Sequence, residues 1–314
     1  MAYSSLGNNN GSGSAQELFE TKMMTDVLKY FQETNVAKEL ITVKTIDSGK
    51  SASFPIVGNN TAALKTNDAS ELAVQTTKHT DRIINIAGLL VAHSYITDID
   101  DAMLHYDPKA PHTESIGRSL SKYYDEEAIT TMASAAEVVD TASATTAGLK
   151  TFDDDIFTVE DESVTLANQS SGASIYAAIV GAITEYRDKD VIGQPAILLR
   201  PAQYFALLNN PANTGLTWVN DPYSQSGKVP MVLGSKVLYS PHFPALTGVG
   251  GIAAAGDHFG FCVSKEAVGA VELLSTSVRA DYVPTRVATL VVGKMAYGMG
   301  ILNHAACVGL KFIA

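Results

Sequence analysis

The period of hydrophobic positions changes several times along the chain, and each change predicts an element. Leu18, Phe19, Met23, Val27, Leu28 and Phe31 recur every three or four residues, which predicts an amphipathic helix to about Thr34. From Leu40 to Val57 the period falls to two. Ile41 and Val43 alternate with Thr42 and Lys44; Ala52, Phe54 and Ile56 alternate with Ser51, Ser53 and Pro55. A polar loop with Asn59, Asn60, Lys65, Asn67 and Asp68 follows to about Gln75. A second run then returns through Arg82, Ile84 and Ile86 to Leu89-Leu90-Val91-Ala92. Alternation of this kind, bounded by turn residues, predicts two antiparallel strands forming a long ribbon. Two strands bury too little apolar surface to be stable alone in water. The sequence offers no obvious cover for the outer part of the ribbon, so the expected cover is another copy of the protein.

The helical period resumes after the ribbon. Thr113 is a plausible N-cap for a helix running to about Val139, with Ile116, Leu120, Tyr124, Ala128, Met132 and Ala135 as its apolar stripe. Glu114 and Arg118 form a favourable i,i+4 pair on its wet face. At about 1.5 Å per residue this helix is a beam of about 40 Å. The segment from Thr141 to Gly148 reads as an Ala/Ser/Thr-rich connector. Beyond it, a helix with Ile175, Ile179, Ile183 and Tyr186 on one face precedes the apolar strand Ala196-Ile197-Leu198-Leu199. A short helix starts at Pro201, and strands follow near Val237 to Tyr239 and Phe259 to Val263. This alternation predicts a compact α/β unit from about 150 to 278. The tail from Arg279 to Lys311 is strand-rich with scattered glycine, and residues 1–14 read as a polar arm.

Composition narrows the function classes. The 314 residues are 46% apolar and 18% charged, enough for one large or two medium cores. The net charge of −11 argues against a chain that grips phosphate backbones, and it suits a container that must not adhere to enclosed DNA. Cys262 and Cys307 lack CxxC spacing, so they frame neither a disulfide scaffold nor a zinc site and are expected to be buried small apolar groups. The N-terminus has no basic, apolar leader pattern, and the longest apolar run, Gly88 to Ala92, is too short to cross a bilayer. A soluble cytosolic product is expected.

The candidate chemistry is sparse. Ser48-Gly49-Lys50-Ser51 ends like a phosphate loop, but Lys44 stands where that loop needs glycine and Pro55 would break the helix that must follow. Gly248, Gly250 and Ala253 match a dinucleotide fingerprint, yet Pro241 and Pro244 interrupt the strand that should lead into it. Asp98, Asp100, Asp101, His105 and Asp107 fit neither a calcium loop nor a zinc helix. Asp153, Asp154, Asp155, Glu160, Asp161 and Glu162 read as a solvated acidic loop, with a weak divalent-cation site as the alternative. No GxSxG elbow, HExxH or kinase set is present. No catalytic, cofactor-binding or metal-ligating residue is expected.

The ribbon carries a resemblance. Ile46-Asp47-Ser48-Gly49-Lys50-Ser51-Ala52-Ser53-Phe54-Pro55-Ile56-Val57-Gly58 resembles the start of the extended loop in major capsid proteins of short-tailed, T-seven-like podophages. Lys78-His79-Thr80, Gly88-Leu89-Leu90, Asp98-Ile99-Asp100-Asp101-Ala102-Met103 and His105-Tyr106-Asp107 resemble the return strand and the approach to that family's spine helix. Pro201-Ala202-Gln203-Tyr204, Gly234-Ser235-Lys236-Val237 and Lys294-Met295-Ala296-Tyr297-Gly298 are similar to its later segments.

The resemblance implies an α+β fold of the Hong Kong ninety-seven type, a tailed-phage major capsid fold. Its parts would be an N-terminal arm and helix (1–40), an extended β-hairpin loop (41–95), a peripheral domain with a long spine helix (96–150), an axial α/β domain (151–278) and returning strands (279–314). It implies hexamers and pentamers of an icosahedral head around double-stranded DNA, with a scaffolding protein and a portal as assembly partners, in a virion assembled in the host cytoplasm. It implies no lysine–asparagine autocatalytic cross-link. Inter-subunit contacts are expected at Phe54, Ile56, Asn59, Lys65, Asn67, Glu71, Arg82, Glu114 and Arg118. The rivals are an encapsulin-type cellular nanocompartment shell, which shares the fold, and a soluble oxidoreductase or hydrolase built on the 150–278 unit.

Overall fold

The computed structural model describes residues 22, 24–31, 35–57, 79–103, 109–137, 162–189, 191, 193–208, 231–245 and 254–313. Helix α1, described at residues 22 and 24–31, buries Val27 and Phe31, two members of the stripe expected there. After a short 3₁₀ turn at Ala37–Glu39 come strands β1 (Thr42–Thr45), β2 (Ser51–Val57), β3 (His79–Asn85) and β4 (Gly88–Thr97). Helices α2 (Asp98–Met103) and α3 (Lys109–Ala136) follow. The second half holds β5 (Glu162–Thr165), α4 (Gly172–Asp188), β6 (Ala196–Leu199), α5 (Pro201–Leu208), β7 (Met231–Val232) and β8 (Ser235–Tyr239). It closes with β9 (His258–Val263), β10 (Val268–Val283), β11 (Ala288–Ile301) and β12 (Cys307–Ile313).

These strands form a four-stranded sheet in the order β1-β10-β11-β4, a six-stranded sheet in the order β5-β12-β9-β6-β8-β7, and a two-stranded ribbon, β2-β3. The run expected as one strand from Leu40 to Val57 is therefore two strands with different partners. Gly49, at φ 111°, turns the chain between them. β1 then lies parallel to β10, whereas β2 pairs with β3. The return run also splits: β3 ends at Asn85, and β4 joins the four-stranded sheet against β11. Period-two alternation reports that a segment is extended and half-buried, but it does not say which strand is its neighbour.

Helix α3 crosses the four-stranded sheet. Its stripe is buried as expected: Ile116, Leu120, Tyr124, Ala128, Met132 and Ala135 are each no more than 3% exposed. The helix begins at Lys109, four residues before Thr113, and Thr113 is a buried interior residue rather than an N-cap. Pro111 is tolerated because it stands in the first turn, where backbone N–H groups have no intrahelical acceptor. The helix closes at Ala136, three residues short of the expected end. The Thr141–Gly148 connector, the Gly248 loop and Asp153–Asp161 lie outside the described residues.

The six-stranded sheet is covered on both faces. Ile197, Leu199, Phe259, Val308, Leu310 and Phe312 pack with the Ile175, Ile179, Ile183 and Tyr186 face of α4. Leu198, Phe261 and Val263 point the other way, into the core that includes Met132 and Ala135 of α3. Coverage on both sides explains why Ala196–Leu199 reads as an unbroken apolar run rather than an alternating one.

Candidate assembly surface

The ribbon springs from the face of the four-stranded sheet opposite α3. Ala52 pairs with Ile84 across the ribbon, and both are buried on Val271 of β10. Phe54, Ile46, Ile86 and Leu302 pack around that cluster. The ribbon's base therefore rests on its own subunit, so the cover expected from another copy concerns only the ribbon's outer part. A glycine permits this. A Cβ at Gly298 would lie 2.1 Å from the Asn85 carbonyl oxygen, so no side chain fits under the ribbon there. Lys44 holds the next step outward. Its Nζ donates to the Ser53 carbonyl at 2.9 Å and lies 5.5 Å from the centroid of the Phe54 ring.

The ribbon's other face is open. Ile83, paired with Ser53, is 61% exposed, and Asp81 and Pro55 are exposed beside it. Ile56 has its backbone in β2, but its side chain lies outside the described residues, as do Asn59, Lys65, Asn67 and Glu71. Arg82 is half-buried on the ribbon's inner side. Glu114 and Arg118 are 2.5 Å apart on the outward side of α3, far along the chain from the ribbon. Exposed ion pairs of this kind contribute under about 1 kcal/mol. Of the expected contact residues, Phe54 and Arg82 share the ribbon's inner side, while Glu114 and Arg118 mark a separate surface.

The face that carries the ribbon base continues outward along β4, β11 and β10. Register places Leu89, Ala296 and Leu274 in one row; Val91, Lys294 and Ser277 in the next; then His93, Val292 and Arg279; then Tyr95, Leu290 and Asp281. The intervening residues Leu90, Ala92, Val291 and Met295 turn inward and pack in the core under α3. Arg279 pairs with Asp281 at 3.0 Å, and the Arg286 guanidinium lies 4.8 Å from the centre of the Tyr95 ring.

One buried polar hub joins the parts, and alternation alone did not reveal it. Asp125 on α3 is fully buried and accepts hydrogen bonds from the Ala37 N–H at 3.1 Å, the Val36 N–H at 3.3 Å and His242 Nδ1 at 2.8 Å. The carboxylate thus ties the chain entering β1 and the loop after β8 to one point on the beam. The signal lay in its position: an acid directly beside Tyr124 sits on the edge of an apolar stripe, where it must find donors. Nearby, Tyr297 donates to Glu127 Oε2 at 2.6 Å. Burial, reinforced by that hydrogen bond, pushes the Tyr297 phenol well above its usual range. Tyr124 rises likewise, through burial and then the charge of Glu272. Burial also pushes the Cys262 thiol up to about 12, which makes it an inert core group. Among the described residues no cluster of three or more His, Cys, Asp or Glu is placed to hold a metal.

Known proteins match this chain almost end to end. The major capsid protein of Escherichia phage T7 is 28% identical over 338 residues, covering 98% of this chain and 96% of that protein. The major capsid protein of Enterobacteria phage T3 is 28% identical over 342 residues, covering 96% and 94%. The capsid structure of the cyanophage P-SCSP1u aligns at a TM-score of 0.71 with 23% identity, over 89% of this chain and 88% of that one, a likeness that shows the tailed-phage capsid fold. The family model for Gp10A-like major capsid proteins matches residues 53–311, and the chain belongs to that family of phage major capsid proteins.

Proposed function

We propose that this subunit builds hexamers and pentamers of an icosahedral head around double-stranded DNA, and that the ribbon straps one subunit to the next. The observation that carries the strap is the half-covered ribbon: Ala52 and Ile84 are buried on the subunit's own sheet, while Ile83 is 61% exposed. A two-stranded ribbon without a support is marginal, so its free half gains stability from a neighbouring copy. Head-to-tail contacts of this type close into rings when the rotation allows, and many weak contacts per subunit add up through multivalency. The same chain must fit both five- and six-membered rings. A stiff α3 supplies the rigid part of such a subunit.

The proposed division is an arm to residue 40, an extended loop to 95, a peripheral domain to 150, an axial domain to 278 and returning strands thereafter. A scaffolding protein and a portal are the proposed assembly partners, and the host cytoplasm is the proposed site of assembly. The net charge of −11 supports an enclosure that holds DNA without adhering to it. A cellular compartment shell is disfavoured because the matching family and the two relatives are phage capsid proteins. The work done is structural, and no catalytic step is assigned.

Deletion of residues 58–74 tests the strap. The expected result is subunits that melt at the same temperature as the parent, yet form no closed particles in electron micrographs with or without a scaffolding protein. Phe54→Asp is expected to act in the same direction, with some loss of subunit stability because Phe54 also packs at the ribbon base. Normal-sized particles from the deletion variant would overturn the strap.

A further inference from the structure

Three consecutive residues of the 3₁₀ turn before β1 reach three different parts of the subunit. The Ala37 N–H, with that of Val36 beside it, donates to Asp125 on α3. Lys38 Nζ lies 2.8 Å from Glu272 Oε1 on β10, a strand of the four-stranded sheet. Glu39 pairs with Lys236 on β8, a strand of the six-stranded sheet. One short turn thus joins the beam and both sheets. Its ties are graded in burial. Asp125 has no exposed surface and holds a third donor, His242 Nδ1, from the loop after β8. Taking its donors away would strand a charge in the core, so this tie is costly to open. Glu272 is 6% exposed and its partner Lys38 is 44% exposed. Glu39 and Lys236 are 58% and 50% exposed, and a pair so placed contributes little and is screened by salt. One end of the turn is held firmly, and the other can be released at small cost.

We infer that this turn is an adjustable joint between the two sheets: Asp125 is its pivot, and the Glu39–Lys236 pair is a catch, closed in one type of ring and open in the other. The inference rests on the five- and six-membered rings proposed above and adds where a single chain adjusts between them. A chain that occupies both rings needs two settings that differ little in free energy, because a large gap would leave one ring unpopulated. An exposed ion pair meets that condition, whereas the buried Asp125 tie does not. The catch also spans the right parts. It links the turn leading into β1, at one edge of the four-stranded sheet, to β8, next to the edge of the six-stranded sheet. Opening it lets one sheet tilt slightly against the other while the Val36 and Ala37 N–H groups stay on Asp125.

Charge reversal and a particle reconstruction test the joint. Lys236→Glu sets like charges against each other across the catch. It is expected to leave subunit melting within about 2 °C of the parent and to lower the yield of closed, normal-sized particles roughly fivefold. Combining Glu39→Lys with Lys236→Glu restores the pair with its signs exchanged, and the yield should return to that of the parent. A normal yield from Lys236→Glu overturns the catch, and so does a double reversal that fails to restore it. Electron microscopy of parent particles reads the joint directly. The Ala37 N–H should stay within hydrogen-bond distance of Asp125 in every copy, while the Glu39–Lys236 separation differs between subunits of five- and six-membered rings. Equal separations in both overturn the inference. The two readings fail separately: parent particles that lack either ring overturn the ring reading, whereas particles with both rings and an unchanged Glu39–Lys236 pair overturn only the joint.

Discussion

The two sheets of this subunit are built from similar residues and end in opposite conditions. The six-stranded sheet is sealed by α4 and α5 on one face and by α3 on the other, and its central strands β6 and β9 have no exposed position. The four-stranded sheet is sealed by α3 on one face, while the opposite face is closed, among the described residues, only where the ribbon base crosses it. The difference separates two tasks. Apolar surface that the chain covers itself stabilises the subunit; apolar surface that it leaves open stabilises contact with another molecule. Substitutions in the two sheets should therefore divide between folding and assembly, and the division can be measured.

The largest effect is expected in the sealed sheet. Phe259 is fully buried, with its ring centroid 4.8 Å from that of Phe312. Phe259→Ala removes that packing and leaves a cavity, at an expected cost of about 3–5 kcal/mol in subunit stability measured by denaturant unfolding. Particle yield should fall with it, since unfolded subunits cannot assemble. A loss under about 1 kcal/mol would mean that this sheet is not the stabilising unit, and the contrast between the two sheets would break.

The seam between the conditions lies under the ribbon base. Gly298→Ala would place a methyl group 2.1 Å from the Asn85 carbonyl oxygen, a backbone atom that cannot swing aside. The ribbon base must lift. Overpacking of this kind costs about 1–3 kcal/mol. Both readouts should move together here: a modest loss of melting temperature and a disproportionate loss of particles, because the strap would leave the sheet at the wrong angle. Unchanged particles with reduced stability would show that the angle of the ribbon does not matter to closure.

Much of this architecture was legible in the sequence, for a reason that also explains what was not. The stripe from Ile116 to Ala135 has a single period over many turns and nothing competes with it, so helix α3 was clear. The run Ala196–Leu199 was clear because a strand covered on both faces has no polar alternation to confuse. The resemblance carried by Ile46–Gly58 named the fold before any pairing was known. Partner choice was not legible. Leu40–Val57 alternates throughout, yet Gly49 divides it between a parallel partner, β10, and an antiparallel one, β3. Alternation is a property of one strand, and sheet order is a property of several. The Asp125 hub was hidden for the same reason: its donors, the N–H groups of Val36 and Ala37 and the ring of His242, come from segments about 90 and 117 residues away.

The smallest effect on folding is expected on the exposed face of the ribbon, and it sharpens the comparison most. Ile83 is 61% exposed and contributes little to the subunit's own core. Ile83→Ser should change subunit stability by no more than about 0.5 kcal/mol, the usual range for an open surface site. If that side chain is free in the particle, assembly should not change either. If it is covered by a neighbour, closing a particle buries it, and the substitution lowers the affinity of every strap contact by the transfer free energy of an isoleucine side chain, about 1.5–3 kcal/mol at full burial. Repeated around each ring, that loss raises the subunit concentration needed for assembly, which light scattering reads directly. An unchanged threshold for assembly would place Ile83 in solvent and restrict the strap to the ribbon's inner side.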